Sequence, residues 1–325
     1  MPASRASATD PRPVTVALVN NMPDAAFVDT EAQFRGAMAN DQSGGRLDLQ
    51  LYTIAEIPRS AEITSLISSR YRDLDHLWEN PPDALIVTGT EPAQTQLQYE
   101  PYWPYLARLL EWAAGSVPIT LLSCLASHAS VLLFDEIERK PRATKCCGVF
   151  AGAVTDPDDP LAAGLPDLMP VPHSRVNDVP EAALRDAGYR IVVGSGPARA
   201  GWSVAARNYG ERLFVLCQGH PEYSTVSLLR EYRRDVRRSL FGRGVIPYPT
   251  LPEGYLRPEG AAILEGFALR ARAEGADPRA LWAGFPFEQA AATVENTWAA
   301  ASATLYANWL RLARAAVPVQ RTARA

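Results

Sequence analysis

The feature that most constrains this chain is an apolar run that passes into a helical pattern, with a cysteine at the junction. Residues 117–122 have the composition of a buried strand, and residues 125–129 begin the helical pattern. Cys124 stands between them. A sharp strand-to-helix turn exposes one side chain at the top of a sheet, next to free N–H groups and the positive end of the helix dipole. Cys124 is therefore either an activated nucleophile or one more small buried side chain.

Short apolar runs alternate with helical patterns on both sides of this junction. The runs predict strands, and they lie at residues 14–19, 47–54, 84–87, 145–153, 189–193, 202–206 and 213–217. Helical patterns lie between them at residues 29–38, 102–112 and 224–240. Gly115 is the predicted C-cap of the second helix, and residues 156–172, rich in Asp, Pro and Gly, predict a loop. The alternation favours an α/β fold with a doubly wound, mostly parallel sheet, and the last three runs predict a meander.

Composition divides the chain into three parts. Residues 1–13 are a polar, proline-containing tail that we expect to be flexible, and residues 14–246 carry the alternating strands and helices. Residues 247–325 begin with a Pro- and Gly-rich stretch and then become alanine-rich and helical, with breaks at Asp277-Pro278 and near residues 284–286. We expect this C-terminal helical extension to pack on the α/β domain or on a second subunit, and its apolar pattern favours a homodimer.

Charge and hydropathy exclude several classes of function. The net charge is −4 with acidic and basic residues interspersed, which is not the pattern of a nucleic-acid-binding protein. No apolar run reaches the roughly 18 residues that predict a membrane span, and the first 13 residues lack the apolar core of a signal peptide. Four cysteines in 325 residues are not a disulfide framework. We therefore expect a cytoplasmic protein whose partners are small molecules or proteins.

A second candidate for chemistry follows another predicted strand. Gly219-His220-Pro221-Glu222 comes directly after residues 213–217. In an extended backbone, residues i and i+2 point the same way, so His220 and Glu222 are placed to form an imidazole–carboxylate pair. Together with Cys124 they provide the nucleophile, base and orienting carboxylate of acyl-transfer catalysis. The alternative for His220 is a hydrogen-bonded loop histidine with no catalytic role.

Other polar residues admit both functional and structural interpretations. His128 lies four residues after Cys124 on the same helical face, so it is a rival base. A metal site of Cys124, His128 and the adjacent Cys146-Cys147 lacks the usual ligand spacing, and we predict no metal. Arginines are suited to hold a carboxylate and lysine to neutralise an anion, and the candidates are Arg175, Arg234 and Lys145. From their residue types alone, surface solvation is the favoured explanation of each.

The sequence as a whole resembles the homoserine O-succinyltransferase and O-acetyltransferase family, whose fold is similar to class I glutamine amidotransferases. The matching motifs occur in family order across residues 14–240, with one more near the C-terminus. They are Asn21-Met22-Pro23, residues 30–34, Ile86-Val87-Thr88-Gly89, Tyr102-Trp103, Cys124, residues 145–149, Pro172-His173-Ser174-Arg175, His220-Pro221-Glu222-Tyr223, residues 231–235 and Asn308-Trp309.

The resemblance implies a ping-pong acyltransferase of methionine biosynthesis. Cys124 would accept the acyl group from acyl-CoA, His220 would be the general base with Glu222 as its partner, and L-homoserine would receive the acyl group. The backbone N–H of Leu125 and one from the loop at residues 89–93 would form the oxyanion hole. The residues that would shape the substrate pocket are Lys145, Ser174, Arg175 and Arg234, the last facing the amino-acid carboxylate. No cofactor is implied beyond acyl-CoA as a co-substrate.

The sequence departs from the family pattern at several positions. Leu125 replaces the usual tryptophan, and His128 stands where glutamine is common. In the loop after Gly89, a glycine or a glutamate at one position is associated with succinyl or acetyl preference, respectively. Ala93 occupies that position and its small size favours succinyl, but Glu91 would fill the same space.

These departures leave other activities open. The stretch between residues 253 and 296 lies outside the family pattern, so another hydroxy amino acid such as serine is an alternative acceptor. A glutaminase or peptidase with the same Cys-His-Glu triad is the alternative enzyme. A ligand-binding protein that kept the fold is the non-enzymatic alternative.

Overall fold

The computed structural model describes residues 13–39, 46–242, 246–275 and 277–316. The tail predicted at residues 1–13 lies almost entirely outside this range, as does the end of the predicted extension at residues 317–325. Within the described residues, nine strands form one sheet. They are β1 (Val14–Val19), β2 (Leu47–Tyr52), β3 (Ala84–Val87), β4 (Ile119–Ser123), β5 (Lys140–Val154), β6 (Leu168–Asp178), β7 (Arg190–Gly194), β8 (Val204–Tyr209) and β9 (Arg212–Cys217).

Helices connect the parallel strands and also form the C-terminal part of the described chain. They are α1 (Asp24–Ala39), α2 (Ala61–Arg70), α3 (Leu74–Glu79), α4 (Trp103–Ser116), α5 (Leu125–Asp135), α6 (Glu181–Asp186), α7 (Ser227–Phe241), α8 (Pro258–Ala271), α9 (Pro278–Ala283), α10 (Phe287–Ala291) and α11 (Ala299–Ala316).

The sheet has the strand order β2-β1-β3-β4-β9-β8-β7-β5-β6. The first five strands in this order pair in parallel. The remaining four extend the sheet through antiparallel pairs, and of the nine described strands only β5 and β8 point against the others. The predicted α/β fold with C-terminal helices is confirmed, and the predicted meander is β7-β8-β9.

Helices cover both faces of the parallel strands. In β1, Val16 and Leu18 belong to a buried cluster with Phe34 of α1, whereas Ala17 and Val19 belong to a cluster with residues of α4 and α5. Successive side chains of a strand point to opposite faces, so both of these clusters draw on the same strand. A strand buried on both faces is apolar throughout, which is why continuous runs of apolar residues predicted these strands.

The C-terminal helices pack in two places. On α11, Leu305, Tyr306 and Trp309 are fully buried in the cluster that also contains α1 and the sheet. The helices α8 and α10 pack against α7 in a separate cluster. The predicted breaks are confirmed, because Asp277 caps α9 through the backbone N–H of Arg279 and a further break separates α9 from α10. None of the described helices has the length and hydropathy needed to cross a bilayer.

One local prediction was wrong, and another was right for most of its length. The loop predicted at residues 156–172 ends early, because β6 begins at Leu168 and pairs with β5. Pro170 and Pro172 obscured this strand in the sequence, but β6 is the edge of the sheet, where a missing N–H is tolerated. Gly115 is not the C-cap of α4, since the helix continues to Ser116 and Val117 donates its N–H to the carbonyl of Ala113.

Candidate active site

Cys124 occupies a strained turn between β4 and α5. Its backbone has φ 50° and ψ −107°, which is unusual for a residue with a side chain. Such a conformation costs on the order of 1–3 kcal/mol and persists only where its surroundings enforce it. Here the N–H of Cys124 donates to the carbonyl of Cys217 at 2.7 Å, and the Ser127 hydroxyl donates to the carbonyl of Leu122 at 2.7 Å. The turn leaves the Cys124 side chain partly exposed at the carboxyl edge of the sheet.

His220 reaches the same edge from the neighbouring strand. β9 pairs with β4 so that Cys217 lies beside Ser123, and the chain continues through Gly219 to His220. A Cβ at Gly219 would lie 2.5 Å from Cγ1 of Val171 and 2.8 Å from a ring carbon of His173, so only glycine fits this passage. The N–H of His220 donates to the carbonyl of Pro172 at 2.7 Å, which fixes the backbone of the loop.

Glu222 holds the imidazole of His220 as the i, i+2 spacing predicted. Nδ1 of His220 lies 2.8 Å from Oε1 of Glu222, and both side chains are buried. The Cys124 thiol lies close enough to His220 to raise the pKa of its imidazole. Since Nδ1 faces Glu222, Nε2 is the nitrogen left for the thiol. The ring of Tyr223 stacks on that of His220 with centroids 4.2 Å apart and restricts its rotation.

The charge state of His220 follows from these neighbours. Burial lowers the pKa of His220, but the neighbouring Glu222 and Cys124 raise it more, so the pKa lies well above its ordinary value. The site therefore favours a protonated imidazole. This is the arrangement in which a thiolate is the nucleophile and an imidazolium protonates the leaving group.

Ser123 is a further contact of the catalytic carboxylate that sequence reasoning missed. Its hydroxyl donates to Oε1 of Glu222 at 3.0 Å, so this oxygen accepts hydrogen bonds from both Ser123 and His220. The two residues are 99 positions apart in the chain. Only the pairing of β4 with β9 brings them together, so the sequence near Ser123 contained no signal of the contact.

His128 is not placed to compete with His220. Its Nε2 lies 3.1 Å from Oε1 of Gln218, and the ring is buried. Burial lowers the pKa of His128 to about 4, so the ring is neutral and weakly basic at neutral pH. The helical spacing correctly placed His128 beside the cavity, but its described hydrogen bond runs to Gln218 and not to the thiol.

A cavity of about 360 Å³ opens onto the Cys124 thiol. Most of the residues predicted for the site line it, namely Gly89, Glu91, Cys124, Leu125, Lys145, Ser174, Arg175, His220, Glu222 and Arg234. Ala93 is the exception, because its side chain is exposed and does not contribute to the cavity wall. The role predicted for Ala93 in the acyl pocket stays a prediction, and Pro92 is the last residue of this loop that lines the cavity.

Gly89 brings the loop after β3 against the first turn of α5. A Cβ built on Gly89 would lie 2.9 Å from Cβ of Leu125 and 3.0 Å from its backbone nitrogen. The close approach explains why this position holds glycine. It also places loop backbone beside the N–H of Leu125, at the helix end where free N–H groups attract negative charge.

Side chains of opposite charge lie next to one another along another part of the cavity, which we call the charged wall. It consists of Lys145 of β5 and of Glu231, Arg234 and Asp235 of α7. Lys145 Nζ lies 2.6 Å from Asp235 and 3.6 Å from Glu231, and Arg234 lies 3.3 and 3.4 Å from the same two carboxylates. Burial raises the pKa of Asp235, but Lys145 and Arg234 lower it more, so its pKa is below the ordinary value. The carboxylates of this wall were missed by the sequence prediction.

Two predicted substrate-binding residues are engaged with protein partners. The Ser174 hydroxyl donates to Glu231. Nε of Arg175 donates to Asp178 at 2.6 Å, and its other nitrogens contact His173 and the carbonyl of Ala200. Arg175 therefore borders the cavity with its guanidinium held by the protein.

No described group of three or more His, Cys, Asp or Glu side chains is arranged to hold a metal ion. The chemistry at this edge of the sheet is that of a thiol, an imidazole and a carboxylate. With helix N–H groups beside the thiol and a cavity in front of it, the arrangement is suited to acyl transfer through a covalent intermediate.

Comparisons with known proteins point to one family. The family model described as homoserine O-succinyltransferase matches residues 1–318. A homoserine O-succinyltransferase of Methylorubrum extorquens is 42% identical over 301 residues, covering 93% of this chain and 87% of that protein. One from Bradyrhizobium japonicum is 42% identical over 267 residues, covering 82% and 81%.

A glutamine amido transferase from Methylobacillus flagellatus superposes with a TM-score of 0.49 at 14% identity, covering 93% of this chain and 95% of that one. The family assignment rests on the sequence matches over nearly the whole chain. The chain belongs to the homoserine O-succinyltransferase family and is an acyltransferase.

Proposed function

We propose that this chain transfers the succinyl group of succinyl-CoA to the hydroxyl of L-homoserine, a step of methionine biosynthesis, through a thioester on Cys124. The sequence matches support the overall reaction. The observation that carries the mechanism is that the partly exposed Cys124 lines the same cavity as a buried His220, which Glu222 holds at 2.8 Å. Each residue of this set has one role in a ping-pong reaction.

In the first half-reaction, the Cys124 proton resides on His220 and the thiolate attacks the thioester carbonyl of succinyl-CoA. The oxygen of the tetrahedral intermediate faces the N–H of Leu125 and the backbone of the loop at Gly89, which stabilise its negative charge. The intermediate collapses by breaking its bond to the sulfur of CoA. His220 gives its proton to that sulfur, leaving succinyl-Cys124 and a neutral imidazole.

In the second half-reaction, neutral His220 removes the proton of the homoserine hydroxyl as the oxygen attacks the thioester carbon. The bond to Cys124 breaks, the sulfur leaves as a thiolate, and His220 keeps the proton it has gained. The enzyme thereby returns to its starting charge state. Throughout, Glu222 offsets the positive charge on the ring and holds Nε2 toward the reacting atoms.

The charged wall supports an amino acid as the acceptor. Homoserine carries an ammonium and a carboxylate on the same carbon, and the wall presents both signs of charge within one cluster. Glu231 and Asp235 suit the ammonium, and Arg234, whose side chain is 38% exposed, suits the carboxylate. Serine carries the same two charges, but its hydroxyl is one methylene closer to the α-carbon. The distance from the charged wall to the thioester would therefore decide between the two acceptors.

Intact-protein mass spectrometry tests the mechanism. Incubation with succinyl-CoA alone is expected to add one succinyl group, mapped to Cys124, that homoserine then removes. Cys124→Ala is expected to lose both the adduct and the turnover. Cys147→Ala is the matched control, because burial raises the pKa of the Cys147 thiol to about 12 and keeps it unreactive.

Several outcomes would overturn the proposal. Near-normal turnover by Cys124→Ala, or an adduct only on another residue, would exclude the thioester at Cys124. Free thiol release that depends on serine but not on homoserine would reassign the acceptor. Ammonia release from glutamine without consumption of any acyl-CoA would reassign the protein as a hydrolase with the same triad.

A further inference from the structure

Arg139 lies between α5 and β5 and extends along the cavity that contains Cys124. Its Nη2 donates to the carbonyls of Gln94 and Thr95, at 3.3 and 3.0 Å. These two bonds attach the guanidinium to the loop that follows β3. Nothing in the sequence distinguished Arg139 from a surface arginine, because its partners lie 44 and 45 residues away.

Arg139 differs from the other four cations that line the described cavity, because each of those is paired with a carboxylate. Lys145 and Arg234 pair within the charged wall, Arg175 pairs with Asp178, and Arg238 pairs with Glu91. In the described part of the chain, no carboxylate forms an ion pair with Arg139. Its Nε is also buried and has no hydrogen-bond partner among the described residues.

The environment of Arg139 places it near the thiol. Burial lowers the pKa of the Arg139 guanidinium, and this effect exceeds the opposite influence of Tyr102, Glu100 and Cys124. The positive charge of Arg139 also helps to lower the pKa of His128 in the first turns of α5. A partly desolvated cation with an unused donor is costly until an anion binds to it. Arg139 therefore offers an anion site within electrostatic range of Cys124.

We propose that Arg139 binds the terminal carboxylate of the succinyl group and so selects a dicarboxylic acyl donor. This inference rests on the proposed succinyl transfer. The acyl carbon is fixed at Cys124, so the far end of a four-carbon chain stays close to the thiol. That end carries only negative charge, and it suits a cation that no described carboxylate neutralises. The homoserine carboxylate, by contrast, travels with an ammonium, and the mixed charges of the charged wall suit both.

Recognition by Arg139 also accounts for the position of Ala93. The loop residue expected to discriminate acyl groups is exposed and outside the cavity. The same loop nevertheless bears on the acyl group, because its carbonyls at Gln94 and Thr95 orient the guanidinium. In this chain the preference for succinyl is thus assigned to a charge held by the loop and not to the size of a loop side chain.

Paired acyl donors test the assignment. Butyryl-CoA has the same four-carbon chain as succinyl-CoA without the terminal carboxylate, and acetyl-CoA is shorter. For Arg139→Gln we expect kcat/KM with succinyl-CoA to fall by about 10–100-fold, as for loss of a charge-assisted hydrogen bond. With butyryl-CoA and acetyl-CoA it should change by less than about 3-fold, because neither donor contacts the guanidinium. Arg185→Gln, on the exposed side of α6, is the control.

Each alternative gives a distinct result. An equal fall in kcat/KM with all three donors would mean that Arg139 contacts the CoA moiety or stabilises the fold. An unchanged kcat/KM with succinyl-CoA would mean that Arg139 contacts no donor. Either result overturns the inference. If Arg139→Gln does not fold, Arg139→Lys replaces it. The ratio of kcat/KM with succinyl-CoA to kcat/KM with butyryl-CoA must still fall in this variant, because lysine lacks the bidentate geometry of arginine. Failure of the wild-type protein to use succinyl-CoA would refute the proposed function itself.

Discussion

The catalytic junction and the charged wall are adjacent in the cavity but are built differently. At the junction, Cys124 and His220 each follow a strand, and the two strands pair directly in the sheet. Backbone hydrogen bonds and a glycine at 219 fix their positions. In the charged wall, long side chains from β5 and α7 meet across 90 residues of sequence, and each is held by a side chain of opposite charge.

Because the two regions are built differently, we expect the junction to control the chemistry and the charged wall to control acceptor binding. Backbone placement at the junction determines the chemistry, because the reacting atoms must lie within a few tenths of an ångström of productive geometry. In the proposed mechanism the charged wall holds the acceptor, and its ions pair with one another when no substrate is bound. A substitution at the junction should therefore affect turnover with every donor, whereas one in the wall should affect acceptor binding and stability.

The largest effect is expected for His220→Ala. Loss of a general acid–base group costs about 10²–10⁴-fold in rate, and kcat should fall with succinyl-CoA and with any slower donor alike. The measurement is free thiol release at saturating homoserine. His76→Ala is the matched control, since His76 contacts Tyr52 and Arg72 away from the cavity. A selective rise in the KM for homoserine with unchanged kcat would place His220 in acceptor binding instead and break the comparison.

A smaller effect is expected for Gly89→Ala. The added Cβ would lie 3.0 Å from the backbone nitrogen of Leu125, so the loop must shift away from the proposed oxyanion donor. Removal of one such donor costs about 10²–10³-fold in kcat, and we expect a loss near the lower end because the donor is displaced and not deleted. Gly36→Ala on α1 is the control, as no atom lies within 4 Å of its added Cβ. Loss of thermal stability without loss of kcat would contradict a role at the junction.

The sequence predicted the junction well because its information is local. A buried apolar run, a cysteine at its end and a His-Pro-Glu sequence after another run each lie within a few residues. Adjacency of β4 and β9 then brings them together. The one departure within the junction is Ser123, whose partner Glu222 could be identified only from the pairing of the two strands.

The wall and the acyl region were less predictable because their information is not local. Arg234 and Lys145 were predicted to be substrate-binding cations. Their pairing with Glu231 and Asp235 depends on how α7 lies across the cavity, and so does the ion pair between Arg238 and Glu91. The exposed position of Ala93 depends on the path of a loop. No pattern in the sequence reports such a path, since it is set by side-chain packing and not by periodicity.

The smallest effect on turnover, but a measurable effect on stability, is expected for Lys145→Met. Methionine keeps most of the volume but removes one of the two cations that Asp235 and Glu231 share, leaving only Arg234 beside them. We expect the free energy of unfolding to fall by about 1.5–3 kcal/mol at neutral pH, the range for a hydrogen bond to a charged group. The KM for homoserine should change more than kcat. Lys140→Met, at the exposed start of β5, is the control.

The pH dependence of this stability difference identifies charge as its cause. Burial raises the pKa of Glu231 and of Asp235, but their cationic and hydrogen-bonding neighbours lower both pKa values more. The stabilisation is therefore present above the unfolded carboxylate pKa of about 4, and it is lost as the pH falls through the lower pKa values of the folded state. The pKa of Lys145 is raised, so its share is lost only when pH rises above about 10. The difference in urea unfolding between wild type and Lys145→Met should therefore be larger at pH 7 than near pH 3. An equal difference at both values would mean that Lys145 stabilises the wall by packing, and the contrast between a junction built from backbone and a wall built from charge would no longer hold.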